Sequence, residues 1–491
     1  MNKPKIVTFT SLMLVVFAFI SMFGANGYAS NRSASALARD LHFIETTPTI
    51  PYTPEAFIPV RMSALNSIGA AREELLCATP DYSMYYGCTA FCRDDDPAAD
   101  EKCNREQKLA YPYGTESVPR LGVENDYLPD VLAQEMGADY ENAALRAGAI
   151  TMRSFALQQF EELNFQGKIL NNSTQYQTFI PYKFDTLNSD FPGSTCGLPD
   201  PLINDKQKKI CEAVAPRYYI SSIEKGDYPA QANHFADVPY RTDDASYDDP
   251  ALVSVQDPIS TEEEPCIARQ ESVNTYGLSQ KGTNRWARGN RCGVDTPGKP
   301  WSVVWTQAEQ ILFHYFTGVQ LRDADNDKKI ISPDWRWNPL DIRWNNTPSY
   351  EPPSLQSGTV YTMAIQLQNT GINSWPCRAA GAEQRPIPPG FSRFYLRYRW
   401  RHSNGQEILG TGQVGVCGLN PGQSKSVQLT LTDVPPWPAG TYTLSLDIQD
   451  ADQAFWFSAG GWPPYDIPVK ISAPPTPTPR PSPTVTVCPG C

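Results

Sequence analysis

Glu135 closes a short stretch of mixed apolar pattern, Tyr127-Leu-Pro-Asp-Val-Leu-Ala-Gln-Glu-Met136, with Leu132 and Met136 as apolar neighbours and Gly137 behind it. A single carboxyl group set among apolar side chains is the arrangement that a general acid uses. Downstream, Arg146 and Arg153 stand seven apart, so on a helix they share one stripe. An arginine held against Glu135 would favour the ionised carboxylate instead, so their separation decides the role.

Ser279 and Gln280 lie in Gly277-Leu-Ser-Gln-Lys-Gly282, a near miss to the G-x-S-x-G nucleophile elbow with its second glycine one place late. Of the four histidines, His42, His234, His314 and His402, none is spaced to act as a base for that serine. Ser279 and Gln280 therefore read as groove or turn residues. His314 reads as a half-buried helix histidine rather than a ligand. Asp323-Ala-Asp-Asn-Asp327 starts like a calcium loop, with Ile330 and Asp334 in suitable places, but Lys328 occupies the position that needs glycine. It is expected to be a polar surface loop, and no metal or cofactor is called for.

The elements that must position these groups are helical. From Asp139 to Leu163 the chain is rich in alanine and leucine, with Asp139 as the expected N-cap and Glu141 in the first turn. Leu145, Ala149, Met152 and Ala156 recur at spacings of four and three and give one apolar face. The Tyr127–Met136 stretch reads as a shorter helix that tolerates Pro129 in its first turn.

Together, Tyr127-Leu128, Glu135-Met136, Ala144-Leu-Arg-Ala147 and Ala149 to Leu157 resemble the signature of the stage II sporulation protein D family, which includes the amidase enhancers of bacterial cell walls. Tyr276-Gly-Leu-Ser-Gln-Lys-Gly282 and Ile311-Leu-Phe-His-Tyr-Phe-Thr-Gly318 resemble two further landmarks in the family's order. The resemblance spans about residues 117–322. It implies a lytic transglycosylase acting on glycan strands whose peptides have been removed, with Glu135 as the catalytic acid. Met136, Arg146, Arg153, Ser279 and Gln280 then bind substrate, the arginines holding the lactyl carboxylate of muramic acid or orienting Glu135. Departures are Arg146 for the usual lysine, Gly148 for glutamine and Lys281 for an aromatic residue. Some relatives hold zinc through a histidine and two cysteines, but no cysteine closely follows His234, and the metal is not carried over.

From about Gly358 the pattern changes to short alternating runs such as Val360–Leu367 and Ser426–Leu431, the mark of a β-sandwich. Asn369-Thr-Gly-Ile-Asn-Ser-Trp375, Leu396-Arg-Tyr-Arg-Trp400, Pro438-Ala-Gly-Thr-Tyr442 and Phe455-Trp-Phe457 resemble the Ig-like four-tryptophan domain. Tryptophans on such strands are expected first as core packing.

The chain's beginning reads as an export signal: Lys3 and Lys5, an apolar run from Leu12 to Phe23, then small residues up to Ala29. The apolar run is shorter than the roughly 20 residues of a spanning helix, and no later segment is apolar enough to span. The twelve cysteines fall into even, local groups, which in an oxidising compartment reads as disulfides. For Cys77, Cys88, Cys92 and Cys103 a zinc site is the alternative, although the paired C-x2-C knuckles are missing. A net charge of -12 excludes the basic footprint of a nucleic-acid binder.

The expected organisation is a signal peptide (1–29), a cysteine-containing loop-rich region (30–116), an α+β domain resembling sporulation protein D (117–330), a linker (331–352), an all-β Ig-like sandwich (353–473) and a Pro/Thr-rich tail (474–491). The expected function is cleavage of peptidoglycan glycan strands to 1,6-anhydromuramyl ends by a secreted or envelope protein. The rival is a non-catalytic peptidoglycan binder that localises or activates a cell-wall amidase. A third reading is a surface interaction protein acting through the Ig-like domain. No nucleic acid and no transmembrane segment after signal removal complete the expectation.

Overall fold

A computed structural model describes residues 57–61, 63–65, 71–76, 120–171, 177–179, 183–184, 187–188, 196, 202–222, 240–241, 255–260, 274–275, 277–291, 300–326, 328–331, 334–345, 351–377, 392–472 and 490. The signal peptide, the first cysteine group, His42, His234, Cys266, Cys292, Cys488, Cys491 and nearly all of the tail lie outside the described residues.

The order begins with strand β1 (Phe57–Arg61), which pairs antiparallel with β2 (Arg120–Gly122) and parallel with β3 (Leu170–Asn171). Between β2 and β3 come a π-helical turn, Val123–Tyr127, the short helix α1 (Leu128–Glu135) and the long helix α2 (Asn142–Phe165). Pro129 sits in the first turn of α1, where its missing N–H costs no hydrogen bond. Helix α2 starts at Asn142, three residues after the expected cap. The Glu141 N–H is held by the Asn284 side-chain oxygen at 2.8 Å, which fixes the entry of the chain, and the Asp139 carboxylate pairs with Lys206 instead.

The expected face of α2 is buried, with Leu145, Ala149 and Met152 at 0 % exposure. Burial extends well round the helix to Ile150, Thr151, Arg153 and Ser154, because α1, α3 (Asp205–Val214), α4 (Gln280–Arg288), α5 (Ala308–Tyr315) and strand β4 (Tyr218–Ser222) all pack on it. Strand β5 (Val319–Asp323) pairs antiparallel with β4. The fold is thus α+β around one central helix.

The stretch expected as a linker holds strand β6 (Trp337–Trp344), so the antiparallel sheets start before residue 353. Trp337, Leu340, Ile342 and Trp344 are buried and bind the strand to the core. β6 pairs with β7 (Tyr361–Asn369), which pairs with β10 (Ser424–Leu431). A second antiparallel sheet joins β9 (Glu407–Gly415), β8 (Phe394–Arg401) and β11 (Gly440–Asp450), with β12 (Phe455–Trp456) and β13 (Tyr465–Ile471) both along the edge of β11 opposite β8. β8 alternates buried and half-exposed residues along its whole length, the signature of a strand with one solvated face.

Trp337, Trp344, Trp375, Trp400 and Trp462 are among the largest buried side chains, as expected for core tryptophans. Buried apolar residues from Ile58 to Ile471 form one cluster, so the helices and sheets share a core. His314 ties the two parts, its Nδ1 2.7 Å from the Gln368 side-chain oxygen on β7. Two of the cysteine groups contain disulfides, Cys196–Cys211 and Cys377–Cys417.

Candidate active site

Glu135 ends α1, half-buried, where the helix hands over to Met136 and Gly137. Its two oxygens are held by neutral donors: Oε1 accepts from the Thr178 N–H at 2.7 Å and Oε2 from the Gln280 side-chain amide at 3.0 Å. Each oxygen keeps a further lone-pair direction for a proton or a substrate group. The strap carrying Thr178 is fixed on both sides. Tyr127 donates to Gln177 at 2.8 Å, Gln177 donates to the Met152 carbonyl at 2.9 Å, and the Phe179 ring stacks on Tyr127 at 5.2 Å. Burial, and then the charge of Glu135, push the Tyr127 phenol well above its ordinary range, so it stays a neutral donor.

Met136 is buried at 5 % exposure and packs where a side chain on α2 would stand. A Cβ added to Gly148 would lie 2.1 Å from the Met136 sulfur and 3.3 Å from Leu132 Cδ1. The glycine that departs from the family pattern therefore lets α1 press against α2 directly behind Glu135.

Gln280 is the first residue of α4 and only 3 % exposed, so its amide is dedicated to Glu135. Ser279 is not a ligand-facing hydroxyl: it caps α4, its Oγ accepting from the Gly282 N–H at 3.0 Å. The turn beneath is tight. A Cβ on Gly282 would lie 2.2 Å from the Tyr315 hydroxyl, and buried Asp257 receives that hydroxyl at 2.9 Å and the Trp286 N–H at 2.8 Å. The second and third landmarks of the resemblance thus meet around Asp257, a residue that the sequence reading missed. It lies in no periodic pattern, and nothing local marks it.

The two arginines differ. Arg146 is partly exposed, 3.5 Å from the Glu309 carboxylate, and 5.4 Å from the Tyr218 ring centre. Arg153 is 0 % exposed, and all five of its N–H donors are used inside the protein. Nε and one terminal nitrogen grip Glu124 at 2.8 and 2.6 Å, and the remaining donors reach the carbonyls of Val214, Pro216 and Tyr218 at 2.8 to 3.1 Å. A sugar carboxylate could reach it only by displacing this network, so the expected substrate contact at Arg153 is replaced by a structural one. The physical reason is that α2 is covered on the face that the sequence leaves open.

His314 is fully buried rather than half-buried, enclosed by Trp286, Trp305 and Tyr315. In the acidic loop, Asp325 pairs with Arg217 at 3.1 Å. Among the described residues no group of three or more His, Cys, Asp or Glu side chains is gathered as for a metal ion, and no helix is long and apolar enough to cross a membrane.

No curated protein matches the chain. Among solved structures, the C-terminal domain of wzt is similar at 13 % identity, covering 28 % of this chain and 74 % of that one, with a TM-score of 0.19. A Niemann-Pick type C2 protein from the Japanese carpenter ant is similar at 11 % identity, covering 29 % and 97 %, with a TM-score of 0.18. Likenesses of that size carry no argument. The family model SpoIID, described as Stage II sporulation protein, matches residues 113–216, the segment that holds α1, α2, α3 and Glu135. The match covers 104 of the 491 residues, so the likeness to the SpoIID stage II sporulation protein family is shown for that segment.

Proposed function

We propose that this protein is an exported peptidoglycan-active enzyme that cleaves peptide-free glycan strands as a lytic transglycosylase. The observation that carries the reading is the Glu135 carboxyl at the mouth of α1, held by two neutral N–H donors within 3.0 Å and still half-exposed. Protonated Glu135 gives its proton to the glycosidic oxygen. The C6 hydroxyl of the muramic acid then attacks C1 as the bond to the leaving sugar breaks, and its proton returns to the carboxylate. The product is a 1,6-anhydro sugar, and no water is consumed. Arg146, partly exposed, is the residue of the arginine pair that can meet a lactyl carboxylate.

The two antiparallel sheets, with their buried tryptophans, are read as an Ig-like sandwich of the four-tryptophan kind that anchors the enzyme on its polymer. Disulfides in the described chain agree with a cell-envelope or secreted location.

The deciding experiment is digestion of peptide-free glycan strands by the mature protein, with products identified by mass spectrometry. Anhydromuramyl ends are expected, falling about 100-fold or more in Glu135→Gln, which keeps the shape but has no proton to give. Ordinary reducing ends would mean hydrolysis instead.

One observation favours the rival reading of a non-catalytic binder that localises or activates an amidase. Arg153 and Ser279 serve the fold, which leaves few polar groups to grip a substrate. Intact binding without any cleavage would select it.

A further inference from the structure

The outer face of the five-stranded sheet carries two arginines that make no ion pair among the described residues, the buried Asp447 being the acid whose charge they feel. Alternation along β8 turns Tyr395, Arg397, Arg399 and Arg401 away from the core, in a chain whose net charge is -12. The flanking arginines are neutralised: Arg393 pairs with Asp450 at 2.7 Å, and Arg401 with Glu407 at 2.7 Å and Asp466 at 3.2 Å. Arg397 and Arg399, between them, have no carboxylate within ion-pair distance among the described residues. Arg397 donates to the Gln449 side chain at 2.8 Å, while its buried Nε has no partner.

Arg399 lies 3.9 Å over the Trp456 ring, which holds its planar fork in place without using its N–H donors. The nearby acid, Asp447, is 1 % exposed and already accepts from Ser458 Oγ at 2.6 Å. Facing Arg399 across β11 is Ser445, 1 % exposed, whose hydroxyl has no hydrogen-bond partner in the described chain. Facing it across β9 is Leu409, 47 % exposed.

The buried Arg397 Nε and the Ser445 hydroxyl are polar groups left unanswered beside two half-exposed guanidinium groups, and an unanswered buried polar group is costly. Two arginines at i and i+2 on one strand stand about 7 Å apart and form paired forks that match planar carboxylates. Trp456 and Leu409 supply apolar surface for the carbon faces of a sugar. We propose that the Arg397–Arg399 face of this sheet binds free carboxylates on a glycan strand, holding the polymer while the Glu135 site acts on it. The identity of the ligand rests on the peptidoglycan reading above: a strand stripped of its peptides bears one free lactyl carboxylate per disaccharide.

The test is binding of the full mature protein, in the Glu135→Gln background that prevents turnover, to purified peptide-free strands. Arg397→Gln combined with Arg399→Gln is expected to weaken binding about tenfold or more, and Arg399→Lys alone to fall between, since it keeps the charge and loses the fork. Strands whose carboxyls have been converted to amides should bind the unaltered face as weakly as native strands bind the double variant. That arm needs no substitution, so it decides the question even if the double variant does not fold. Equal binding of native and amidated strands would overturn the proposal, as would wild-type affinity in a folded double variant. Tighter binding of a phosphate polymer such as wall teichoic acid would overturn it in favour of a phosphate site. The formation of anhydro ends is scored separately on protein with Glu135 intact, so a failure of catalysis is not confused with a failure of this face to bind.

Discussion

Gln280 donates a hydrogen bond of 3.0 Å to the Glu135 carboxylate across 145 positions of the chain, joining the start of α4 to the end of α1. That contact aims the carboxyl. A hydrogen bond to a charged group contributes about 1.5–3 kcal/mol, so Gln280→Ala is expected to lower the rate of anhydro-end formation by about 10- to 100-fold. Under the proposed mechanism the effect should fall on kcat rather than KM, because the amide touches the proposed acid and not the glycan. An unchanged kcat would remove Gln280 from the site.

Arg153 should behave as part of the fold. Replacing it with alanine removes the guanidinium that holds the Glu124 carboxylate and three carbonyls, a loss on the scale of about 3–5 kcal/mol for a broken buried pair. Urea unfolding should show it as a large fall in midpoint, or the variant should be insoluble. Arg153→Lys should rescue little, since one ammonium cannot make five directed contacts. A stable Arg153→Ala protein that had lost only glycan binding would restore the substrate role.

Gly148→Ala drives a methyl group into the Met136 sulfur, and overpacking of this kind costs about 1–3 kcal/mol. Met136 and Leu132 share that space, so the strain is expected to shift the end of α1 and lower activity as well as stability. Combining it with Met136→Ala should recover part of the lost stability, seen as a non-additive double-mutant cycle in thermal melts. Simple additivity would mean that the two residues do not meet.

Burial pushes the Asp447 carboxyl up to about 6, against hydrogen bonds from Ser458 and the Ile448 N–H and the nearby charge of Arg399, which pull it down. The folded protein then holds this proton more tightly than the unfolded chain, whose ordinary value is 3.8. As pH rises from about 4 to 6 this group therefore lowers stability, and above 6 its full cost, about 1–3 kcal/mol, is present. Asp447→Asn should stabilise the protein at pH 7 to 8, with the gain fading below pH 4. Denaturant midpoints across that range check it, and a gain that grows toward acid would contradict the assignment.

The sequence by itself determined the local elements and the family likeness of residues 113–216. Periodic apolar positions marked α2, alternation marked β7 and β8, and the even cysteine groups pointed to the two disulfides found in the described chain. These features depend on neighbours a few residues away, and the chemistry of Tyr127 to Leu157 is written within one short segment. Tertiary structure alone decided what each polar residue does. Arg146 and Arg153 occupy one stripe of α2 and look equivalent in sequence, yet only Arg153 is covered by β4 and the end of α3, which turns it from a ligand group into a structural one. Ser279 and Gln280 are adjacent, yet one caps its own helix and the other crosses to Glu135. Asp257 joins the downstream landmarks without any local pattern. The tryptophan-rich stretch after Pro333 reads as a connection from its prolines, but the burial of Trp337 and Trp344 makes it a strand, because apolar area removed from water outweighs the local signal.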